Sequence, residues 1–192
     1  MNIMSETKVI TGKVRLSYPN LFEARAVDEG QEAKYGASLI IDKNDTKTLE
    51  KIEKAIQAAT DEGKAKFKGG KVPKNLKTPL RDGDEDREDD EAYAGKMFIN
   101  ATSKRKPGMI DQRKRKIEDP EDLYPGCYVR ASINFFAFNA NGNQGIAAGL
   151  NNIQKWAEGE PLSGGASAED EFDELEVEED DILGDDEDDD LI

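Results

Sequence analysis

The sequence predicts a mainly β protein: a small barrel of short strands with one inserted α-helix and a disordered acidic C-terminal tail. Apolar residues alternate with polar ones in several short runs, a period that is typical of half-buried strands. One stretch between two such runs instead repeats its apolar residues every three to four positions, as an amphipathic helix does. From Glu160 onward, Asp, Glu, Ser and Gly dominate the sequence, and such a segment cannot bury enough surface to fold alone.

The charge is distributed very unevenly along the chain. The 192 residues contain 27 Lys and Arg and 42 Asp and Glu, a formal net charge of −15. Seventeen of the acids lie from Glu160 onward and no base does, so residues 1–159 hold 42 − 17 = 25 acids against 27 bases, a net +2. This asymmetry predicts a domain at residues 1–159 that binds nucleic acid or a partner, with a regulatory tail at residues 160–192.

Residue types that many enzymes and metal proteins need are missing. The chain has no histidine, the commonest general base and metal ligand, and Cys127 is its single cysteine. We therefore expect no metal, no cofactor and no internal disulfide. The sequence contains no run of about 18 apolar residues, the length that spans a membrane. The first ten residues lack the pattern of a signal peptide. These features indicate a cytoplasmic protein without a membrane partner.

The first strand is predicted at Lys8–Leu16, where Gly12 would permit the bend that a small barrel needs. The next six residues are predicted as a loop. The rings of Tyr18 and Phe22 in this loop either stack on a ligand or cover the end of the barrel. A second alternating run predicts a strand at Lys34–Asp42.

The single helix is predicted at Thr46–Ala65. Asp45 is a favourable N-cap, and Gly63 marks the end of the helix. The segment Phe67–Leu80 that follows contains two glycines, two prolines and several lysines, so it is predicted as a flexible basic loop. Its lysines either contact phosphates or are ordinary surface residues.

An acidic run at Asp82–Glu91 superficially suggests calcium binding. The calcium-loop pattern fails, because its glycine position falls on Arg87 and its bidentate acid position falls on Tyr93. One hypothesis is a metal-dependent nuclease that uses Asp82, Asp84 and Asp86. Nothing in the sequence orients these acids as a catalytic site. We therefore expect no enzyme activity.

A third strand is predicted at Tyr93–Thr102, with Phe98 on its outward face. Two basic clusters follow, Lys104–Lys106 and Arg113–Lys116, and a hairpin with Gly108 at its tip would hold both on one side. Such a basic patch favours a polyanion, because each phosphate that it neutralises releases counterions. A basic surface loop without a ligand is the alternative.

The strongest strand pattern begins at Tyr128 and extends to Phe138. One face is small and apolar, with Val129, Ala131, Ile133, Phe135 and Ala137. The other face carries Tyr128, Arg130, Ser132, Asn134, Phe136 and Phe138. Aromatic rings on an outward face need a cover. Either nucleic-acid bases stack on them or another layer of the protein buries them.

Several segments together resemble a bacteriophage and prophage single-stranded DNA-binding family. They are VRLSYPNLFEA, YGASLIIDKND, GGKVPKNLKTPLRDGDE, INATSKRKPGMID and GCYVRASINFFAFNANGNQGIAAGLNNIQK, and they extend from about Val14 to about Pro161. The resemblance implies an OB-fold, a five-stranded Greek-key barrel with an inserted helix. It also implies sequence-independent binding of single-stranded DNA during phage replication or recombination in the host cytoplasm. Binding of duplex DNA and a homodimer are both compatible with the sequence.

The interpretation of the residues and the resemblance together predict a DNA-binding set of outward rings and basic side chains. Phe98, Phe136 and Phe138 would stack on bases, and the cations would hold phosphates. The predicted residues are Arg15, Phe98, Lys104, Arg105, Lys106, Arg113, Lys114, Arg115, Lys116, Tyr128, Arg130, Phe136 and Phe138.

The acidic tail is predicted to compete with DNA for the basic surface and to contact replication or recombination proteins. Apolar residues occur at intervals in the tail, which a purely solubilising segment would not need. Its end would form the partner contact, through Asp188, Asp189, Asp190, Leu191 and Ile192. The alternative is an acidic protein-interaction or DNA-mimic protein without catalytic activity, in which the tail alone matters.

Overall fold

The computed structural model describes residues 6–26, 30–140, 142–162 and 175. Within them, eight strands, one long helix and several short helical turns form a mainly β structure. The long helix, α1, spans Thr46–Glu62, and a four-residue helix, α2, spans Gly83–Asp86. The strands are β1 (Lys8–Ile10), β2 (Val14–Arg25), β3 (Lys34–Asp42), β4 (Leu80–Asp82), β5 (Lys96–Ser103), β6 (Gly108–Ile110), β7 (Tyr128–Ala140) and β8 (Asn143–Ala157).

Five of these strands close into a ring. The pairings run from β2 to β3, β5, β8, β7 and back to β2, and only the β5–β8 pair in this ring is parallel. Numbered within the ring, the order is 1-2-3-5-4, the order of an OB-fold. The predicted five-stranded barrel is therefore confirmed. Closure leaves the ring without an unpaired edge.

The long hairpin of β7 and β8 supplies much of the barrel core. Every inward residue predicted on β7 is buried, from Val129 and Ile133 at 0% exposed to Ala137 at 4%. On β8, Ile146, Ala148 and Leu150 face them. The alternation succeeds here because one face of each strand meets the core along its whole length.

The N-terminal strands differ from the prediction. The single strand expected at Lys8–Leu16 is divided into β1 and β2, with Gly12 between them, and β2 continues through the segment predicted as a loop. The register against β3 shifts between Ser17 and Asn20, where Tyr18 has a positive φ of 43°. This irregularity re-aims the side chains of β2, and the turn-like sequence of the segment hides the strand.

Helix α1 begins and ends close to the predicted residues. The Asp45 carboxylate accepts the backbone N–H of Thr48, so the predicted N-cap is confirmed. Ile52, Ala55 and Ala59 are buried in the barrel core. Gly63 caps the end of the helix, and the position requires glycine because a Cβ there would lie 2.2 Å from the Cβ of Ala137. No helix in the described part of the chain is both long and apolar enough to cross a membrane.

A second, smaller core covers half of the outer face of β3 and β5. Ile40 and Phe98 lie on that face, and Tyr93, in a short helical turn, packs edge-on against Phe98 with ring centroids 5.0 Å apart. Phe98 is only 1% exposed. The prediction that Phe98 is an outward stacking ring is therefore wrong. The alternation gives the correct side of the strand, but the 83–93 segment covers that side.

The residues after β8 attach to the start of β7. The Tyr124 hydroxyl donates to the Glu158 carboxylate at 2.5 Å, and Glu158 forms an ion pair with the buried Lys155 at 2.6 Å. The backbone N–H of Leu162 donates to the carbonyl of Pro125. Residues up to Leu162 thus belong with the barrel, and the contacts divide the chain between Leu162 and Ser163.

Substitutions of Phe98 and Phe136 test whether the outer surface of the barrel is covered at Phe98 and open at Phe136. Phe98→Ala should lower the free energy of unfolding by about 3–5 kcal/mol, because it empties a buried site. Phe136 is 44% exposed, so Phe136→Ala should cost only about 0.5 kcal/mol. Urea unfolding of the two variants measures both values. Equal losses would contradict the assignment of Phe98 to the core.

Candidate nucleic-acid interface

An open groove of about 700 Å³ lies over the uncovered half of the face formed by β2, β3 and β5. Its floor consists of small residues from β3 and β5. Gly36 pairs with Thr102, and Ser38 pairs with Asn100. A Cβ at Gly36 would come within 2.7 Å of the Ala101 carbonyl oxygen, so the close packing of the floor requires glycine. The result is a smooth polar floor that bulky side chains do not obstruct.

Tyr18 and Arg87 form one wall of the groove. Tyr18 is 60% exposed, and its positive φ turns its side chain away from the strand alternation. The guanidinium carbon of Arg87 lies 5.8 Å from the centre of the Tyr18 ring. The same carbon lies 5.7 Å from the Tyr93 ring and 5.6 Å from the Phe98 ring. A cation held among three rings is well oriented for a ligand that has both charge and flat surfaces.

The groove is positively charged although the chain as a whole is acidic. Its lining includes four bases and one acid, a net of 4 − 1 = +3. One of the bases, Lys104, forms an ion pair with the acid Glu32 at 3.2 Å. An anionic ligand would exchange with this exposed carboxylate at little cost. The four bases are Arg25, Lys34, Arg87 and Lys104.

The first predicted basic cluster lies beside the groove. Lys104 lines it, and the ammonium of Lys106 sits 5.2 Å from the centre of the Phe22 ring. Arg105 is exposed, and its backbone N–H donates to the Ser103 hydroxyl. These three residues therefore extend the positive surface beyond the end of β5.

The second basic cluster lies elsewhere, at the turn that follows β6. Gly108 pairs with Asn152 of β8 instead of forming the tip of a hairpin. The turn is organised by Asp111, whose carboxylate accepts the backbone N–H groups of Arg113 and Arg115 at 2.9 Å and the Arg115 guanidinium at 3.0 Å. Lys114 adopts a positive φ, and both Lys114 and Lys116 are exposed. The expected hairpin with Gly108 at its tip is wrong, because Gly108 begins β6, which pairs with β8.

The predicted residues of β7 do not line the groove. Phe136 is exposed, and Phe138 is half-buried. The Tyr128 ring already contacts a cation, because the Lys13 ammonium lies 4.6 Å from the centre of the ring. Arg130 donates from Nε to Gln154 at 2.7 Å. Their outward positions agree with the alternation, but the strand lies on a different part of the barrel surface.

Arg15 has a structural role in these contacts. Its Nε donates to the carbonyl of Gly126, and its Nη2 donates to the carbonyl of Glu160 at 2.6 Å. The guanidinium thereby ties the start of β7 to the chain beyond β8. The remaining predicted set, the tail residues Asp188–Ile192, lies outside the described residues.

Three acids of the acidic run form ion pairs, and Cys127 is a buried free thiol. Lys43 pairs with Asp82 at 2.9 Å and with Asp84 at 2.7 Å. Arg81 pairs with Asp86 at 2.8 Å. Burial raises the pKa of the Cys127 thiol to about 11, so it remains protonated and weakly nucleophilic at neutral pH. The part of the chain that the structure describes contains no group of three or more potential metal ligands.

Comparison with known proteins identifies a phage family. The family model described as the ssDNA-binding protein of Enterobacter phage Enc34 matches residues 7–183. Putative protein p50 of Acyrthosiphon pisum secondary endosymbiont phage 1 is 31% identical over 183 residues, which cover 92% of this chain and 98% of that protein.

Solved structures show the same barrel. The single-stranded DNA-binding protein of bacteriophage Enc34, solved in complex with ssDNA, has a TM-score of 0.70 at 26% identity, covering 83% of this chain and 91% of that one. The gp2.5 protein of bacteriophage T7 has a TM-score of 0.56 at 13% identity, covering 88% and 98% of the two chains. This second likeness concerns the fold alone.

The Asp111 turn makes a testable pH prediction. Hydrogen bonds, first from the backbone N–H of Arg115, hold the pKa of Asp111 below its ordinary 3.8. Because the folded pKa is lowered, the carboxylate stabilises the turn above that ordinary value and loses this effect as the pH falls through the folded pKa. The amide NMR shifts of Arg113 and Arg115 should therefore titrate with a midpoint below 3.8. A midpoint at or above 3.8 would contradict the geometry, whereas Arg115→Gln should raise the midpoint.

Proposed function

We propose that this chain, which belongs to the single-stranded DNA-binding protein family of Enterobacter phage Enc34, binds single-stranded DNA in the groove over β2, β3 and β5. The observation that carries the proposal is the exposed Tyr18 ring beside Arg87 at the edge of a polar, net-positive groove. OB-folds bind nucleic acid on the corresponding strands.

Each part of the groove suits one part of a DNA strand. Tyr18 offers a flat ring on which a base stacks, and stacking accepts every base. Arg87, Lys34 and Lys104 hold phosphates, and the small floor at Gly36 lets the strand approach the sheet. Binding in this way does not depend on sequence.

The bound DNA strand can continue from the groove onto the outer surface of β7. Thr102, in the groove, pairs with Gly149 of β8. On the other side of β8, Gly149 pairs with Asn134, and the Phe136 ring lies 3.5 Å from the position of a Cβ on Gly149. Small residues thus connect the groove to the exposed Phe136. Phe136, Arg105 and Lys106 are then peripheral contacts, and the groove itself, with Lys104, is the centre of the site.

The tail is proposed to act as an electrostatic competitor and as a partner contact. Residues 163–192 contain 17 − 1 = 16 acids and no base, because Glu160 belongs with the barrel. A linked polyanion has a high effective concentration at the basic surface. Its interspersed apolar residues would bind replication or recombination proteins in the cytoplasm of the bacterial host. The function is non-catalytic.

Substitutions at the groove wall test the site. Tyr18→Ala should weaken the binding of oligo-dT by about 5- to 150-fold, the loss expected for one stacked base. Tyr18→Phe keeps the ring and should bind nearly as the wild type does. Arg87→Gln should weaken binding and reduce its salt dependence. Fluorescence anisotropy of a labelled oligonucleotide measures these affinities, with urea midpoints as a check on folding.

Lys54→Gln, on the outer face of α1, is the control for general charge loss and should change affinity little. If Tyr18→Ala and Lys54→Gln had the same small effect, the groove would not be the binding site.

Removal of the tail tests the competition. A chain that ends at Leu162 keeps the contacts of residues 159–162 and should bind oligo-dT more tightly than the full chain. The difference should shrink as salt screens the tail. A full chain whose tail acids are replaced by Asn and Gln separates charge from length and should behave as the truncated chain. Equal affinities of all three at low salt would contradict the competition.

A further inference from the structure

A second site lies on the outer face of the barrel, where β8 ends. Trp156 is 45% exposed there, on the same face as Arg130 and Gln154. Together with Gln112 and Lys155, these residues line an open pocket of about 260 Å³. None of the five lines the groove over β2, β3 and β5.

Hydrogen bonds fix the polar groups of this pocket in place. Gln154 accepts from Arg130 Nε at 2.7 Å and donates to the Asp111 carbonyl at 3.1 Å. Gln112 donates to the Trp156 carbonyl at 3.1 Å. Among the described residues, the hydrogen bond from Arg130 uses Nε, so the two terminal nitrogens of its guanidinium are available to an anion.

The pocket is positively charged. Exposed Arg113, Lys114 and Lys116 belong to the turn that begins at Gln112. Two acids close to the lining residues in sequence are already engaged, Asp111 with the turn and Glu158 with Lys155. Among the described residues that line the pocket, none is acidic.

We propose that this pocket is a second contact for single-stranded nucleic acid, in which a base stacks on Trp156 and the adjoining phosphates bind Arg130 and the basic turn. The proposal rests on the proposed function and extends it to a part of the surface beyond the groove. An exposed ring beside an oriented guanidinium suits a nucleotide, because one nucleotide supplies both a flat base for the ring and a phosphate for the cation.

The position of the pocket sets the length of DNA that reaches it. Trp156 lies seven residues along β8 from Gly149, the residue that pairs with Thr102 in the groove. At the rise of a β-strand this is roughly 23 Å. A short oligonucleotide in the groove would therefore leave Trp156 uncovered, and a longer one would cover it.

Trp156 is the only tryptophan of the chain, so its fluorescence reports on this pocket directly. The full chain is titrated with labelled oligo-dT of about 6 nucleotides, near the lower end of the site sizes of OB-folds, and of about 20 nucleotides, above their upper end. Anisotropy of the label and tryptophan emission are recorded together. We expect both oligonucleotides to bind and the longer one to quench Trp156 more strongly at saturation.

An abasic oligonucleotide of the longer length is the control for charge. It presents the same phosphates and would displace the acidic tail, but it has no base to stack. We expect it to leave Trp156 emission unchanged. An equal change with the abasic strand would assign the pocket to charge alone, or to the chain's own tail, and would overturn the proposal.

The affinities of two Trp156 variants provide a second, independent test. Trp156→Ala should weaken binding of the longer oligonucleotide by about 5- to 150-fold and leave the shorter one unaffected, whereas Trp156→Phe should restore most of the loss. A rise in anisotropy without any change in Trp156 emission, or equal affinities of Trp156→Ala and the wild type, would overturn this inference alone. No rise in anisotropy with any oligonucleotide would overturn the proposed function as well.

Discussion

The parallel pairing of β5 with β8 is the contact on which the rest of the structure depends. It joins Ala101 to Ala148 and Thr102 to Gly149 and closes the ring of five strands. A parallel pair cannot be made by a tight turn, and here the 39 residues 104–142 separate the two strands. Closure fixes which faces point outward, and it brings Thr102, at the edge of the groove, next to the β7–β8 hairpin.

Once the barrel is closed, the outer face of β3 and β5 is divided between stability and binding. The 83–93 segment covers Ile40 and Phe98, and this small core supports Arg87 from below. Arg87 in turn faces the exposed Tyr18. The same aromatic cluster thus stabilises one half of the face and orients the cation of the other half. Because the same residues contribute to folding and to binding at this boundary, the effect of a substitution there has to be measured both on stability and on DNA affinity.

The sequence predicts best what depends on local periodicity. The inward residues of β7, the second strand and the capped helix follow from alternation, from a three-to-four spacing and from Asp45. Phe98 shows the limit, because alternation assigns a side of the sheet and a distant segment decides whether that side is covered. Arg87 was hidden in an acidic run, and Tyr18 owes its exposure to a positive φ and a register shift that composition does not reveal. The two basic clusters are not held by one hairpin, because β6, which lies between them in the sequence, pairs with β8.

The central claim is that single-stranded DNA lies in the groove over β2, β3 and β5. Photo-crosslinking of the full chain to an oligonucleotide that contains bromodeoxyuridine, followed by peptide mapping, locates the bases directly. The account predicts the main adducts on the peptide that carries Tyr18. Adducts confined to β7, or spread over the surface without preference for that peptide, would contradict it.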